Sequence, residues 1–323
     1  MFKTLEFTED IRESLLSRDA PVIVTGASGW LGQAALEMLE ATYGRQFQTR
    51  IMAFSNTPKP IMLRSGTVII AQRFAELANL ILPPAIILHC AFLTREHAKL
   101  QPVADYAAAN REIRRVMLSA IARNGALGVF VPSSGAVYGA DRSLEGDESA
   151  NPYGVLKLED EAAFADIAQR LGFPCTVLRV FNLSGPFINK VSSYALASII
   201  HDVQAGGPIQ LRADIPVWRS YAAVDDVINL AMALLLRGVR LAPFDTAGDE
   251  QIEIGDLARR VALRLGVPEM LIIRPELTGG RGSVYLGEGG VFFAEARKAG
   301  LALRPLDEQI ANTAIYMQHW LKR

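Results

Sequence analysis

Neither sign of charge is in excess: 33 Lys and Arg stand against 34 Asp and Glu, a formal net charge of −1. With no basic field to hold a phosphate backbone, nucleic acid is not an expected partner. Lysine is scarce, because only seven of the 33 cations are Lys and the rest are Arg. A lysine inside a motif is therefore informative. The two cysteines, Cys90 and Cys175, lie far apart in apolar strand-like runs, with neither CxxC spacing nor a pairing framework. That usage predicts reduced core thiols in a cytosolic chain. The four histidines, His89, His97, His201 and His319, lack the spacing of a metal site, so no metal is expected. The longest apolar run, 80–93, is interrupted by Pro83, Pro84 and His89 and is too short to span a bilayer. At the start, acidic residues and an amphipathic Ile11/Leu15/Leu16 pattern occupy the place where a secretory signal needs an unbroken apolar stretch. Membrane insertion and export are both unexpected, and the predicted location is cytoplasmic.

What the chain does have is apolar bulk. Half of its residues are hydrophobic and 21% are charged, the balance of a folded globular protein. Its 323 residues allow two modest domains. Through the first 180 residues, short β-branched runs alternate with longer amphipathic segments, the pattern of βαβ units in a parallel sheet covered by helices. Strands are predicted at 21–25, 50–54, 67–70, 85–90, 128–132 and 174–180, and helices at 31–43, 104–124 and 153–171. After Gly185-Pro186 the alternation loosens, and glycines gather at Gly279, Gly280, Gly282, Gly287, Gly289 and Gly290. The expected fold is a doubly wound, Rossmann-type α/β domain over 1–185, with a returning segment near 222–248. A smaller α/β domain is expected over most of 186–323.

The first strand runs into Thr25-Gly26-Ala27-Ser28-Gly29-Trp30-Leu31-Gly32, with glycines at i, i+3 and i+6 opening directly into a helix. Glycine suits this turn because the backbone bends sharply, a pyrophosphate approaches the main chain, and helix and strand pack closely. The helix N-terminus then presents N–H groups and its positive dipole end to the phosphates. Gly26, Ser28, Gly29, Trp30, Leu31 and Gly32 are thus the candidate dinucleotide cradle. Trp30 is expected to pack or line the cleft rather than to react. The second strand ends in Ser55-Asn56, where NAD-binding versions usually carry an acid for the ribose hydroxyls. The missing carboxylate removes repulsion against a 2′-phosphate, which Ser55, Asn56 or Lys59 could contact, and tilts the expectation to NADP over NAD. The other reading is that Ser55 bonds a ribose.

Past the carboxyl end of the fifth strand, Ser133 and Ser134 stand on the edge where open α/β sheets bind ligands. Tyr153 and Lys157 follow at i and i+4, on one helix face. A free phenol titrates near 10, but a neighbouring ammonium favours the phenolate, so the pair forms a plausible acid/base.

These residues resemble the extended short-chain dehydrogenase/reductases, the NAD(P)-dependent epimerase/dehydratase family that acts mainly on sugar nucleotides. The likeness also takes in Ile87-Leu88-His89-Cys90-Ala91, the stretch from Leu178 through Asn182 to Pro186, and the stretch from Trp218 and Arg219 to Asp226. It implies that Tyr153 transfers the proton, that Lys157 binds the nicotinamide ribose and tunes Tyr153, and that Ser134 bonds the reacting oxygen. It places Ala91 on the cofactor, Asn182 on the sugar-nucleotide side and Arg219 on the diphosphate, although Ser220 stands where the family often has Asp. A homodimer through the helices 104–124 and 153–171 is expected on the same ground.

Two departures narrow the chemistry. Gly135 and Ala136 follow Ser134. The similar 4,6-dehydratases carry Asp-Glu there, and the epimerase-reductases of fucose nucleotides carry a cysteine at the second position. Neither branch is expected. What remains is hydride transfer at one carbon: reduction of a keto-sugar nucleotide, with epimerisation around tightly bound NAD as the alternative. A dinucleotide-sensing protein without turnover is the alternative from another class, and the intact Ser134, Tyr153 and Lys157 argue against it. Arg281, in a glycine-rich stretch, reads either as a second diphosphate ligand or as a solvated loop charge. His89 reads as a packed strand residue, and Asn110 as a family asparagine or as a helix-bend or surface residue. Asp225 and Asp226 are expected to point apart as helix-capping acids.

Overall fold

The computed structural model describes residues 4–139, 141–144, 146–279 and 282–321. Along the chain run α1 (Glu9–Leu16), β1 (Val22–Thr25), α2 (Trp30–Tyr43), α3 (Phe47–Arg50), β2 (Ile51–Ser55), β3 (Lys59–Met62), β4 (Val68–Arg73), β5 (Ala85–His89), α4 (Arg95–Ala98), α5 (Val103–Asn124), β6 (Ala126–Ser134), α6 (Pro152–Leu171) and β7 (Cys175–Val180). There follow β8 (Leu183–Ser184), α7 (Ala195–Gln204), β9 (Ile209–Gln210), β10 (Val217–Arg219), β11 (Ala222–Ala223), α8 (Val224–Leu236), β12 (Phe244–Asp245), β13 (Ile252–Glu253), α9 (Ile254–Arg264), β14 (Ile272–Ile273), β15 (Ser283–Tyr285), α10 (Gly289–Lys298) and α11 (Leu306–Trp320). The chain divides into two compact units.

The first unit, Thr4–Val180 with Ile228–Asp245, holds an eight-stranded sheet in the order β12-β7-β6-β5-β1-β2-β4-β3. Every pairing in it is parallel except β3 with β4. From β1 the chain winds one way through β2 and β4 and the other way through β5, β6 and β7. The switch of direction therefore falls between β1 and β5, where such sheets open a crevice at their carboxyl ends. β1 and β5 are buried on both faces, as their unbroken Val22-Ile23-Val24 and Ala85-Ile86-Ile87-Leu88 runs require. Beside them, Val116 and Met117 of α5 and Phe164 and Ile167 of α6 pack against Val129 and Val131 of β6. Fully burying a side chain such as Phe164 stabilises by about 1.5–3 kcal/mol.

The α6 boundaries are written in its residues. Asn151 accepts from the Gly154 N–H at 3.1 Å, Pro152 fits the first turn, and Gly172 ends the helix at φ +80°. The sequence did not indicate β3: it forms an antiparallel edge hairpin with β4 whose Met62, Val68 and Ile70 lie exposed, so no core-facing alternation marks it. β4 also runs on to Arg73, because Gln72 and Arg73 pair with Phe54 and Ser55 although they are polar. Leu16 of α1 faces solvent while Ile11 and Leu15 are buried. Cys90 and Cys175 are free and half-buried, Cys175 packed against the core cluster, and burial pushes both thiols up to about 12.

The second unit, Phe181–Val227 with the chain from Thr246 onward as far as it is described, carries small sheets: β13-β10-β15, β8 beside β11, and β9 beside β14. In it the Asp225–Asp226 pair departs from expectation. Both carboxylates are buried and converge on one guanidinium, Arg304 Nη1, at 2.6 and 2.7 Å. They are an internal charge cluster and not diverging caps, because α8 begins under the segment that carries Arg304. Burial and then the neighbouring Asp225 charge hold the Asp226 carboxyl up at about 7.

Candidate functional site

The glycine loop is closed by contact with the end of β5. Gly26 has φ +61°, and a Cβ there would lie 2.5 Å from the Cys90 carbonyl oxygen. A Cβ on Gly32 would lie 2.4 Å from the Gly26 oxygen, and the Gly29 N–H bonds that same oxygen at 2.8 Å. No larger residue fits either position without moving backbone. Thr25 Oγ1 bonds His89 Nδ1 at 2.8 Å and accepts the Ala91 N–H at 3.3 Å, which fixes Ala91 beside the loop. The Gln33 amide holds the Ser28 carbonyl at 3.1 Å. α2 starts at Gly29 with no side-chain cap and no acid in its first turn, so its leading N–H groups present positive charge, an arrangement that fits a diphosphate. Trp30 is buried at the start of the helix, a packing position, while Leu31 is half-buried.

At the end of β2, Ser55 is buried and its hydroxyl donates to the Thr57 carbonyl at 2.6 Å. With its proton so placed, Ser55 retains lone pairs that can accept from a ribose hydroxyl and has no proton to offer a 2′-phosphate. This geometry gives no support to the lean towards NADP. Asn56 and Lys59 are exposed beside it.

Ser134 ends β6, buried, and its Oγ accepts the Ala136 N–H at 3.2 Å in the turn that follows. That turn is joined to α6. Asn151 Nδ2 donates to the Ala136 carbonyl at 2.8 Å, and a Cβ on Gly154 would stand 2.2 Å from the same oxygen. The structure thereby brings the turn after Ser134 against the helix end that carries Tyr153. One turn on, Lys157 is buried and its Nζ donates to the Pro132 carbonyl of β6 at 2.8 Å. Burial lowers the Lys157 ammonium to about 8, opposed chiefly by the charge of Asp160 and also by that of Glu161, so it is predominantly protonated at neutral pH. His89 is buried between Phe74 and Phe164 rings, and burial followed by the Lys157 charge lowers it to about 3. It is a neutral packed residue.

Sequence reasoning passed over several residues that shape this edge. Gly154 carried a signal, since glycine near the start of a helix asks for a reason. Phe92 carried none: its ring stands edge-to-face with Tyr153 at 5.6 Å, and Lys157 Nζ lies 3.8 Å from its centroid. Asn110 is buried, and its Oδ1 accepts the Leu93 N–H at 2.8 Å, so it anchors the segment after β5 and is not a surface residue. Behind Ser134, Ser133 donates to Glu161, Arg179 Nη2 pairs with Glu161 at 2.7 Å, and Arg179 Nη1 donates to the Tyr138 hydroxyl at 2.6 Å. Tyr138 in turn donates to Asp245 at 2.8 Å, so β6, α6, β7 and β12 share one buried polar chain.

In the second unit, Asn182 and Arg219 meet at β15. Asn182 Nδ2 donates to the Ser220 and Tyr285 carbonyls at 3.0 and 3.2 Å, so its amide N–H groups are engaged within the unit. Arg219 Nη1 reaches the Trp218 and Ser283 carbonyls at 2.8 and 3.3 Å, and its Cζ lies 5.9 Å from the Tyr285 ring centroid. Among the described residues no carboxylate pairs with it, and burial lowers its pKa. A half-buried cation without an anion suits a diphosphate. Arg281 lies outside the described residues. Among these residues there is also no group of three metal-ligating side chains and no helix long and apolar enough to cross a membrane.

Comparison with known proteins identifies the family and the fold. The dTDP-4-dehydro-6-deoxy-D-allose reductase of Streptomyces bikiniensis is 25% identical over 279 residues, covering 79% of this chain and 84% of its own. The dTDP-L-rhamnose 4-epimerase of Burkholderia thailandensis is 24% identical over 311 residues, covering 80% and 85%. Among solved structures, the UDP-N-acetylglucosamine 4-epimerase from Methanobrevibacter ruminantium M1, in complex with UDP-N-acetylmuramic acid, superimposes with a TM-score of 0.74 at 19% identity, over 93% of this chain and 99% of that one. The family model matches residues 22–246, from the start of β1 to just past β12. Spanning the whole parallel sheet, that match shows that the chain belongs to the NAD dependent epimerase/dehydratase family, among the extended short-chain dehydrogenase/reductases.

Proposed function

We propose that this protein reduces a keto-sugar nucleotide, with Tyr153 as proton donor, Lys157 as its electrostatic partner and Ser134 as the hydrogen-bond donor to the reacting oxygen. The observation that carries the reading is the buried Lys157 ammonium, tied to Pro132 of β6 one helical turn from Tyr153 and at the sheet edge that holds the glycine loop. NAD fits the cradle: Gly26, Ser28, Gly29, Trp30, Leu31 and Gly32 would take the diphosphate, Ser55 and Asn56 the adenosine ribose, and Ala91 and Lys157 the nicotinamide side. Bound in its reduced form, NADH would supply the hydride and leave as NAD. Tyr153 gives its phenolic proton to the carbonyl oxygen while the Lys157 charge stabilises the phenolate left behind. Ser134 holds that oxygen in line. Arg219 binds the diphosphate of the sugar nucleotide, and Asn182 Oδ1 accepts from the substrate. Gly135 and Ala136 offer no carboxylate or thiol for a second acid/base step. The reading includes a homodimer through α5 and α6, which light scattering checks.

One observation favours a second reading, epimerisation by oxidation and re-reduction at a single carbon. Ser55 has spent its proton on Thr57, which suits NAD, and a cofactor recycled in place has no need of NADP. Denaturing the purified protein and identifying any released dinucleotide separates the two. Retained NAD favours the epimerase, and an empty protein that turns over added reduced cofactor favours the reductase. In either case Tyr153→Phe lowers turnover roughly 10²–10⁴-fold while dinucleotide still binds. Unchanged turnover refutes the assignment, and failure of both proteins to bind any dinucleotide refutes the oxidoreductase reading altogether.

A further inference from the structure

The segment that follows β5 passes directly over the acid/base pair, and it is clamped. The Leu93 N–H is held by Asn110 Oδ1 at 2.8 Å, and the Leu93 carbonyl accepts from the Tyr106 hydroxyl at 2.6 Å. Tyr106 and Asn110 are themselves buried on α5, so the peptide groups on both sides of Leu93, the first of them joined to Phe92, are fixed by groups that cannot easily move. Phe92 is the side chain this clamp presents.

Lys157 has three N–H donors and no acceptor capacity. One donor goes to the Pro132 carbonyl at 2.8 Å. Among the described residues no carboxylate pairs with the ammonium, and the acids that raise its pKa, Asp160 and Glu161, are bound elsewhere: Asp160 to Arg114 at 3.1 Å, Glu161 to Arg179 at 2.7 Å. The Phe92 ring face is the other electron-rich surface against it, with the ammonium nitrogen 3.8 Å from the centroid. A contact that close to a desolvated cation lies well inside the distance at which the ring quadrupole attracts it. Two donors are then engaged, and one remains for a ribose hydroxyl.

We infer that Phe92 is a positioning residue for the acid/base pair, holding the Lys157 ammonium over its face and bracing the Tyr153 ring edge-to-face. The role rests on the reading of Tyr153 and Lys157 as that pair, but the contact itself is testable without substrate or cofactor. The groups that act on Lys157 are Cys90 at the end of β5, Asp160 and Glu161 on α6, and the neutral His89 behind it. None of them is altered by changing Phe92.

The test uses the full chain labelled with ¹⁵N-lysine, which gives a sparse spectrum because there are seven lysines. Lys157→Met assigns the resonance, and its titration is followed in wild type, Phe92→Leu and Phe92→Trp. Loss of the ring face is expected to lower the Lys157 midpoint by roughly 0.4–1.5 pH units, the usual strength of a cation–π contact converted at 1.36 kcal/mol per unit. Phe92→Trp, which keeps a π face, is expected to hold the midpoint at or above wild type. An unmoved or raised midpoint in Phe92→Leu overturns the inference, and so does an equal fall in the Leu and Trp variants, which would mark a packing effect alone. If the Leu variant does not fold, Phe92→Met, of similar volume, carries the same comparison. A lowered midpoint in a protein that binds no dinucleotide leaves the contact standing and removes only the oxidoreductase reading.

Discussion

Gly154→Ala is expected to destabilise the protein, although the same change in an ordinary helix stabilises. Alanine exceeds glycine by about 0.8–1.0 kcal/mol in helix-interior propensity, and the backbone at Gly154 is not left-handed, so in the first turn of α6 at most that gain is available. Against it stands the geometry. The new Cβ would lie 2.2 Å from the Ala136 carbonyl oxygen, 2.5 Å from Asn151 Nδ2 and 3.0 Å from the Ala136 carbonyl carbon. Two of these atoms are backbone, so relief requires α6 to move off the turn that follows Ser134. Overpacking of this kind costs about 1–3 kcal/mol. Parting Asn151 from Ala136 adds roughly 1 kcal/mol for the lost hydrogen bond. The net expectation is a loss of about 1–3 kcal/mol, which for a unit of this size lowers the melting midpoint by roughly 2–12 °C. Gly290→Ala supplies the internal control, because nothing lies within 4 Å of a Cβ there in α10, and it is expected to be neutral or mildly stabilising. Thermal and urea denaturation of the two variants decide the point. A midpoint for Gly154→Ala equal to or above wild type would refute the argument that this glycine exists to seat the helix against the turn.

Two further expectations concern the second unit. Arg219→Met should weaken binding of a nucleoside diphosphate about 10–150-fold, the range for losing charged hydrogen bonds, without altering dinucleotide affinity. Calorimetry with UDP and dTDP measures it, and unchanged affinity for both would remove Arg219 from the diphosphate. Arg304→Met leaves two buried carboxylates uncompensated and should cost roughly 3–5 kcal/mol at alkaline pH. The sign of its pH dependence follows from Asp226, whose carboxyl is already raised to about 7 and rises further without the guanidinium. Below about pH 6 the folded wild type and the folded variant both hold this proton, and above it only the wild type releases it readily, so the deficit grows as pH rises from about 6 through 8 and shrinks on acidification. A deficit that is flat with pH over that range would contradict this account.

The alternation of strand and helix was readable from the chain itself, because period-2 and period-3.6 patterns are local and the buried parallel strands must be apolar throughout. The glycine spacing was equally legible: a positive φ at Gly26 and the close approach at Gly32 can be met by one residue type. Tyr153 and Lys157 could be read as a pair because i and i+4 share a helix face wherever the helix lies. Other features took shape only once distant segments met. Whether Ser55 offers a proton or a lone pair depended on the Thr57 carbonyl two residues away, and composition says nothing of that direction. Asp225 and Asp226 looked like diverging caps until Arg304, 78 residues beyond Asp226, came between them. Phe92 was one apolar residue among many, with no partner in sequence, since its contacts with Tyr153 and Lys157 arise only when β5 and α6 are laid side by side. Local patterns are set by backbone geometry that every residue shares, whereas a proton's direction, a charge's partner and a ring's neighbour are set by which distant segments the fold brings into contact.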